Sequence, residues 1–515
     1  MTLFTNPIRL ARLGALVLIP VGLMVGCTDL KENPASLITK DAFYKNADEV
    51  TAGLASVYAN LRNQYEDYYA LNQVSSEETV VPVRGSDWFD NGAWLELHKQ
   101  GWTPSSVVGL REVTNIWNQQ YQGVARANVV LEALNNVTIP NQAAIKAELR
   151  TLRALFYLDL MDVYGGVPIA TDTKVEERAA KTRAEVWTFI ETELKAARAD
   201  LPKTWAGQQG RVTQGAADAM LASLYINARI WAGTPTATGI TLGTAKWAEA
   251  SAAADAVINS GTYTLAANYK DNFLPTNQAS TENILVVRGK AVDGLGFNRQ
   301  YNALHYNSFS GGGGWNGWSV VAETYGKFDP VDLRRSVVLA GPQVDLFTGA
   351  PVNDRAGNRL IFTPAIADIN SATEGEGVRL YKYPLDAGRA GNASGNDFAL
   401  YRMAEMYLIK AEAQNELGNA DVAIGLLNTV RARAFSPAKP LATGQTQAAV
   451  RALVFNERLY ELLGEGKRRQ DQIREGTYST GTWFGKAATP AFKVILPIPQ
   501  TQLNNNSKLV QNPGY

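Results

Sequence analysis

Hydrophobic residues recur at helical spacing along most of the chain. In one long stretch, Ile145, Leu149, Leu152, Phe156 and Leu160 follow one another at intervals of three or four residues. Positions with this spacing share one face of an α-helix. Similar patterns predict further helices at about 41–63, 181–200, 213–232 and 244–259. The pattern therefore predicts a mainly α-helical chain.

Two neighbouring apolar stripes near the C-terminal end predict a helical hairpin. Met406, Ile409 and Ala413 lie in the first stripe, Leu427 lies in the second, and Gly418 between them is typical of a helix end. Small residues in both stripes would let the two helices approach closely, as in tetratricopeptide repeats. We therefore predict a scaffold that resembles three or four degenerate repeats of this kind.

Two regions lack a sustained periodicity of hydrophobic residues. Residues 64–110 contain tryptophan with Pro and Gly punctuation, and residues 261–400 are rich in Gly, Asn, Asp and Pro. Such composition predicts loops and short strands, and loops on a rigid scaffold commonly carry function. We expect one domain over 41–515, with these two regions as ligand-binding insertions. Its helical scaffold is predicted at about 41–63, 112–260 and 400–475.

The N-terminal segment has the pattern of a bacterial lipoprotein signal. Arg9 and Arg12 precede an uncharged apolar run over 13–25, and Gly26 separates the end of this run from Cys27. The sequence before the cysteine resembles a lipobox, although Met occupies the usual Leu position. We therefore predict a signal peptide over 1–26. An ordinary secretory signal that contains a cysteine is the alternative.

Acylation, for example with palmitate, is predicted at Cys27, which would begin the mature chain. More than one acyl chain is enough for stable membrane anchoring. Residues 27–40 would then form a lipidated tether. No later stretch reaches the roughly 18 uncharged apolar residues that a membrane-spanning helix needs.

Composition excludes several classes of function. Lys+Arg and Asp+Glu both number 49, so the chain lacks the basic excess of a non-specific nucleic-acid binder. The single cysteine excludes an intramolecular disulfide, and the two histidines exclude a three-histidine zinc site. The chain contains no Gly-x-x-x-x-Gly-Lys-Ser/Thr phosphate loop.

The best candidate ligand-binding residues are aromatic and polar side chains of the two irregular regions. Aromatic faces stack on the apolar C–H face of a sugar ring, while neighbouring polar groups bind its hydroxyls. The candidates in two segments are Arg84, Asp87, Trp88, Trp94, Tyr306, Trp315, Asn316 and Trp318. Four glycines at 311–314 would let a flat ligand approach the second segment. The alternative is that these tryptophans only pin long loops to the scaffold.

Other chemistry has weaker support. Paired carboxylates at Glu77/Glu78 and Asp87/Asp90 suit a glycosidase in principle, but acidic pairs are also common on ordinary surfaces. His98 and His305 are expected to be hydrogen-bonded loop residues. We expect no catalytic residue and no cofactor. A structural Ca²⁺ in an Asp-rich loop stays open, although no twelve-residue calcium loop occurs.

Different short motifs also occur in a distinctive order along almost the whole chain. They follow Cys27 and lie at Ala125–Asn128, Glu148–Pro168, Tyr401–Arg433, Asn456–Asp471 and Leu496–Tyr515. As an ordered set they resemble the SusD/RagB family of outer-membrane lipoproteins. The acidic tether after Cys27 also resembles the surface-export signal of Bacteroidetes lipoproteins.

This resemblance implies a tetratricopeptide-like fold and a lipid-anchored, surface-exposed place at the outer membrane. It implies a lipoprotein without catalytic activity that captures glycans and delivers them to a SusC-like TonB-dependent transporter. The family's motifs are expected to be structural. Tyr164–Pro168 would end a helix, and Glu457, Glu461 and Arg468 would form a local ion-pair network.

Four hypotheses remain open at this point. The first is a glycan-binding lipoprotein, with an oligosaccharide or polysaccharide as ligand. The second keeps the architecture but binds peptides, as RagB-like members do. The third is a secreted hydrolase, and the fourth is a helical-repeat adaptor whose concave face binds only protein.

Overall fold

The computed structural model describes residues 43–515. The predicted signal peptide, Cys27 and the tether over 27–40 lie outside the described residues. Within the described part, no helix is long and apolar enough to cross a membrane.

Helices dominate the described chain. They are α1 (Ala47–Asn60), α2 (Asp67–Val74), α3 (Ala93–His98), α4 (Thr114–Ala133), α5 (Gln142–Tyr164), α6 (Arg183–Arg198), α7 (Gln214–Ile226), α8 (Ala228–Trp231), α9 (Trp247–Ile258), α10 (Gln300–Ala303), α11 (Ala322–Gly326), α12 (Met403–Glu416), α13 (Ala420–Arg431), α14 (Gln447–Leu462), α15 (Arg468–Glu475) and α16 (Gln500–Asn505). The predicted helix at 213–232 is divided at Asn227 into α7 and α8. Residues 64–110 contain α2 and α3, which the periodicity did not predict.

Strands are few and short. They are β1 (Thr79–Val80), β2 (Thr234–Thr236), β3 (Gly239–Thr241), β4 (Asn283–Val287), β5 (Ser319–Val320), β6 (Val338–Leu339), β7 (Gly341–Pro342), β8 (Ile361–Phe362), β9 (Arg379–Leu380) and β10 (Phe398–Arg402). In the described chain they form antiparallel pairs β1–β5, β2–β3, β4–β10, β6–β9 and β7–β8. Most lie within 261–400, the region predicted to hold loops and short strands.

Successive helices pack side by side into one scaffold. Helix α4 packs on α5, α5 on α6, α6 on α7, α7 on α9, and α9 on α12. Helices α4 and α5 approach each other closely at Gly123 of α4. A Cβ at this position would lie only 2.5 Å from the ring of Phe156 in α5, so a larger residue would not fit there. Helices α12 and α13 form the predicted hairpin around Gly418, whose φ is +89°. The mainly helical, tetratricopeptide-like fold class is therefore confirmed.

The end of α5 also follows its prediction. The helix ends at Tyr164, and Gly165 adopts a φ of +76°, a backbone conformation that glycine accepts without a steric penalty. Val167 and Pro168 then lead away from the helix in non-helical backbone.

The predicted local network of Glu457, Glu461 and Arg468 is wrong. The two glutamates are buried and instead bind Arg334, at 2.6 Å from Glu457 and 3.0 Å from Glu461. Arg468 instead donates from Nε to Glu77, 2.8 Å away and 391 residues earlier in the chain. Helical spacing shows which charges share a face but cannot show which distant charge packs against them.

Buried charges join the insertions to the last helices. Arg402 lies between three carboxylates, at 2.6 Å from Glu461, 2.7 Å from Glu282 and 2.8 Å from Glu465. Arg402 ends β10, whereas Glu282 immediately precedes β4, Glu461 lies at the end of α14 and Glu465 follows that helix. Because unpaired buried charges are costly, this network fixes the packing of the insertion on the scaffold.

Candidate functional site

A short strand pair brings the two candidate loops together. Thr79 in β1 lies opposite Val320 in β5. The loop at 84–94 follows β1, and the segment at 301–318 immediately precedes β5. The two segments that the sequence singled out therefore meet, although more than 200 residues separate them in the chain.

Three indoles meet at this junction. The rings of Trp88 and Trp94 lie 5.5 Å apart, and those of Trp94 and Trp318 lie 5.7 Å apart in an edge-to-face arrangement. The Nε1 of Trp88 donates a 2.6 Å hydrogen bond to the carbonyl oxygen of Trp315. Trp88, Trp94 and Trp315 are half-buried, whereas Trp318 is only 5% exposed. We call the half-buried residues Trp88, Trp94, Trp315 and Tyr306 the aromatic surface.

Strained backbone is concentrated at this surface. Trp88, Asp90, Asn91 and Asn316 have φ values of +65°, +41°, +54° and +53°. A bulky residue such as tryptophan rarely adopts positive φ, and each such residue costs about 1 to 3 kcal/mol. Strain of this kind persists only where the surroundings impose it, and it is concentrated at functional sites in proteins.

Gly317 explains how the indole of Trp88 is held. A Cβ at this glycine would lie 2.1 Å from the Trp88 ring, so the ring rests directly on the glycine backbone. The other side chains that fix this loop are Asp90, which accepts a 2.6 Å hydrogen bond from Trp94 Nε1, and Arg111, whose guanidinium lies 5.9 Å from the Trp94 ring centre. The aromatic surface is thus preorganised.

A polar network lies beside the indoles. The Tyr306 hydroxyl donates to the carboxylate of Asp87, and the Arg355 guanidinium lies 4.0 Å from the Tyr306 ring centre. Arg355 binds both Asp87, at 3.3 Å, and Glu374. His305 Nε2 lies 2.9 Å from Glu374 Oε2. Hydroxyl, guanidinium and carboxylate groups thus lie close to the rings.

Two groups of this network have shifted pKa values. Burial, followed by the hydrogen bond to the Asp87 carboxylate, raises the pKa of Tyr306. Burial lowers the pKa of His305, although Glu374 opposes the shift. At neutral pH the tyrosine is therefore a neutral hydroxyl and the histidine is uncharged.

Three of the predicted ligand-binding residues lie beneath the surface. Trp318 stacks on Tyr69, with ring centres 5.9 Å apart. Asn316 is fully buried, and its Oδ1 accepts a 2.9 Å hydrogen bond from Arg379. Arg84 is 2% exposed and donates to Ser319 Oγ at 3.0 Å. Because the protein encloses these side chains, they support the aromatic surface and do not face solvent.

Several residues of the site were not found from the sequence. Arg355 and Glu374 come from a Gly- and Asn-rich stretch in which isolated charges carry no pattern. Phe89, beside Trp88, is 55% exposed and extends the apolar area. Residues Gly109–Val113, which include Arg111, form a π-helical turn. Such turns are frequent at functional sites.

The carboxylates proposed as hydrolase pairs, Glu77/Glu78 and Asp87/Asp90, each bind different partners within the protein. Glu78 is buried and accepts from Gly464 N, and burial raises its pKa to about 8. Glu77 binds Arg468 and Lys327. Asp87 binds Tyr306 and Arg355, as described above. Asp90 accepts a hydrogen bond from Trp94 Nε1, so each of the four carboxylates has protein partners of its own.

The two remaining predictions concern histidine and metal. His98, in helix α3 and not in a loop, lies with Nε2 2.7 Å from the carbonyl oxygen of Phe484. His305 lies in a loop and is hydrogen-bonded, as predicted. Among residues 43–515, no group of three His, Cys, Asp or Glu side chains is arranged to hold a metal ion.

Comparisons with known proteins identify the family. The family model "SusD family" matches residues 284–515, and the model "Starch-binding associating with outer membrane" matches residues 33–226. Starch-binding protein SusD of Bacteroides thetaiotaomicron is 27% identical, over 88% of this chain and 86% of that protein. SusD-like protein P25 of Formosa agariphila is 25% identical, over 94% of this chain and 96% of that protein.

Solved structures show the same fold. A SusD-like protein from Bacteroides fragilis superposes with a TM-score of 0.76 at 20% identity, covering 93% of this chain and 99% of that one. A laminarin-binding SusD-like protein superposes with a TM-score of 0.72 at 24% identity, covering 92% of this chain and all of that one. The ordered motifs, the helical fold and the two family models agree: this chain belongs to the SusD/RagB family.

Proposed function

We propose that this protein is a cell-surface glycan-binding lipoprotein that captures oligosaccharide or polysaccharide on its aromatic surface. The observation that carries the proposal is the preorganised pair of half-buried indoles at Trp88 and Trp94, which lie 5.5 Å apart. Indole faces bury the C–H face of a sugar ring. Asp87, Tyr306 and Arg355 beside them supply acceptors and donors for hydroxyl groups.

The preorganised aromatic rings would help the protein to capture a glycan on an open surface. Binding to a shallow, wet surface gives little net free energy, because side-chain ordering and desolvation offset much of the contact energy. Holding Trp88 in place through its hydrogen bond and through Gly317 removes part of the ordering cost before the ligand arrives. The protein would therefore bind each sugar ring weakly and a longer chain more tightly.

The relatives support the same ligand class. The family includes a protein named for starch binding and a structure described as laminarin-binding. Another structure, of surface glycan-binding protein A from Bacteroides thetaiotaomicron, is a complex with laminarihexaose. The relatives are described as binding proteins, and we propose binding without turnover for this chain as well.

We further propose that the chain is anchored in the outer membrane through acylated Cys27 and passes its ligand to a SusC-like TonB-dependent transporter. The lipobox-like sequence supports the anchor, and the description of the matching family model supports the location. The protein would act as a lid over the transporter mouth. The insertions would make one domain with the scaffold over 41–515.

Affinity electrophoresis tests the ligand class. The chain from Thr28 onward is run through native gels that contain starch, laminarin or other neutral and acidic polysaccharides. We expect at least one polysaccharide to retard the wild type, and Trp88→Ala/Trp94→Ala to abolish the retardation. Trp247→Ala, at a half-buried tryptophan that begins α9 outside the aromatic surface, is the matched control and should be retarded as the wild type is.

Two outcomes would contradict the proposal. If every gel leaves the wild type unretarded, the glycan assignment fails, and calorimetry with mixed peptides then tests peptide capture. If retardation occurs but survives the double substitution, glycan binding stands and the aromatic surface is not its site.

A further inference from the structure

A second concave site lies outside the aromatic surface. It is a cavity of about 270 Å³ between the loop that joins α6 to α7 and the segments around β4. Its walls include Trp205, Gln209, Asn283 and Arg288, and none of its lining residues belongs to the aromatic surface. We call it the Trp205 pocket.

The indole of Trp205 is fixed in the wall of this pocket. Its Nε1 donates a 2.7 Å hydrogen bond to the carbonyl oxygen of Val212. The Arg211 guanidinium lies only 3.5 Å from the indole ring centre. Arg211 is itself held by the buried carboxylate of Glu148, at 3.0 Å from Nε. The aromatic group is thus rigid before any ligand binds.

Two of the charges around the pocket are neutralised by protein partners. Arg288 Nη1 lies 2.9 Å from Asp397 Oδ2, and Gly289 N donates to the other oxygen of this carboxylate at 2.9 Å. Arg211 is paired with Glu148, as described above. These side chains can donate further hydrogen bonds without requiring a charged ligand.

Polar groups in the pocket remain available. Among the described residues, the side chains of Lys203 and Gln209 have no hydrogen-bond partner, and both are exposed at the pocket. The pocket therefore combines one fixed aromatic ring with the unused amide of Gln209 and the unused ammonium group of Lys203.

Size and chemistry together define the ligand class. The volume lies just below the range of about 300 to 1,000 Å³ that is typical of pockets enclosing drug-sized ligands. A ligand of one or two sugar rings fits this volume. Its hydroxyls would match the amides and Lys203, and its C–H face would match the indole.

We propose that the Trp205 pocket is a second saccharide site, which takes one hexose-sized unit of a glycan. This inference rests on the proposed function, since a second weak site on the same chain would raise the avidity for a long glycan. The two sites share no residue, so each can be removed separately.

Saturation-transfer NMR tests the pocket with defined sugars. The probes are glucose, galactose, mannose, xylose, N-acetylglucosamine and glucuronate, each mixed with the chain from Thr28 onward. We expect saturation transfer to at least one sugar in the wild type and in Trp88→Ala/Trp94→Ala. The signal should fall several-fold in Trp205→Ala and in Gln209→Ala. A preference for glucuronate over glucose would assign a binding role to the Lys203 ammonium.

Gln209→Ala keeps the test valid if Trp205→Ala unfolds, because Gln209 is exposed and forms no side-chain hydrogen bond within the described chain. Equal signals in the wild type, Trp205→Ala and Gln209→Ala would overturn the proposed saccharide site. The absence of saturation transfer to any of the sugars would overturn it as well. Loss of transfer in Trp88→Ala/Trp94→Ala alone would also overturn it, since the sugars would then bind only the aromatic surface.

The two proposals fail in different ways. If the gels show no retardation but saturation transfer depends on Trp205, the pocket stands and the aromatic surface fails as a polysaccharide site. If retardation depends on Trp88 and Trp94 but no transfer depends on Trp205, only the pocket fails.

Discussion

The indole Nε1 of Trp88 donates a hydrogen bond to the backbone carbonyl of Trp315, at 2.6 Å and across 227 residues of chain. This bond ties the loop after β1 to the loop before β5, and it does so with a residue whose own backbone has positive φ. The ring that would stack on a sugar is therefore also a structural link between the loops.

Substitution at Gly317 should weaken glycan binding without unfolding the protein. A Cβ at this position would lie 2.1 Å from the Trp88 ring, so Gly317→Ala should displace the indole. We expect a loss of about 1 to 2 kcal/mol in binding free energy, roughly five- to thirtyfold in affinity. Gly326→Ala is the control, because a Cβ there meets nothing within 4 Å. Calorimetry with the retarding glycan measures the change. Unaltered affinity in Gly317→Ala would show that the Trp88 position is irrelevant.

Substitution of a buried and of a half-buried tryptophan should separate effects on the stability of the fold from effects on glycan binding. Trp318 is almost fully buried on Tyr69, so Trp318→Ala should destabilise the fold by about 3 to 5 kcal/mol. Trp94→Ala removes a half-buried ring and should lower Tm much less while reducing gel retardation. Thermal unfolding and affinity gels on both variants make the comparison. Equal losses of Tm in the two variants would contradict the assignment of Trp318 as a support.

Arg355 should contribute to binding more than to stability. Its side chain is 52% exposed, and ion pairs at such positions contribute only about 0 to 1 kcal/mol to stability. Arg355→Ala should therefore leave Tm nearly unchanged but lower affinity for the glycan several-fold. Lys439→Ala removes a comparably exposed ion pair, with Asp329, outside the aromatic surface. If both variants bind like the wild type, Arg355 does not contact the ligand.

Asp159 should make stability depend on pH between about 4 and 8. Burial raises its pKa to about 8, and the nearby Asp162 carboxylate adds to the shift, whereas an unfolded aspartate has a pKa of about 3.9. The folded state thus binds the extra proton. The associated stability is fully present below the unfolded pKa and is lost as pH rises through 8.

Asp159→Asn should make this dependence less steep, because the amide stays neutral at every pH, while Glu78, whose pKa burial also raises to about 8, keeps the remainder. Gln64 Nε2 donates to Asp159 Oδ2 at 2.5 Å, and the amide oxygen of asparagine can still accept this bond. The measurement is Tm from pH 5 to 8.5, with the exposed Asp200→Asn as control. A Tm profile with the same slope in Asp159→Asn and the wild type would rule out Asp159 as the titrating group.

Replacing Cys27 should release the protein from the membrane. An acylated cysteine with more than one chain gives stable anchoring, whereas the apolar signal sequence is removed during processing. In a bacterial host that processes lipoproteins, the wild type should incorporate labelled palmitate and sediment with outer membranes. Cys27→Ala should do neither. Labelling that persists in Cys27→Ala would place the lipid elsewhere.

The helical scaffold could be predicted because its signals are local. The stripe from Ile145 to Leu160 and the hairpin around Gly418 each lie within one or two helices, where neighbouring residues fix the period. The ion pairs of Glu461 could not be predicted, because its partners Arg334, Arg402 and Arg433 come from distant segments.

The same division applies to the aromatic surface. The residues themselves indicated which loops hold aromatic and polar side chains. The half-buried rings of Trp88 and Trp94 do lie together, and Trp315 meets Trp88 through its backbone carbonyl. Burial of Trp318, Asn316 and Arg84 beneath them was not visible in the residue types, since tryptophan, asparagine and arginine occur both on surfaces and in satisfied interiors.

The helical periods, the helix ends and the family motifs can be read from the amino-acid sequence, because each depends on residues close together in the chain. The outward-facing indoles, the charges that neutralise Arg355 and Arg402, and the place of Trp205 in a separate pocket become visible only in the folded chain. These properties arise from contacts between segments up to several hundred residues apart. Burial and pairing belong to the packed chain as a whole, so no local pattern encodes them.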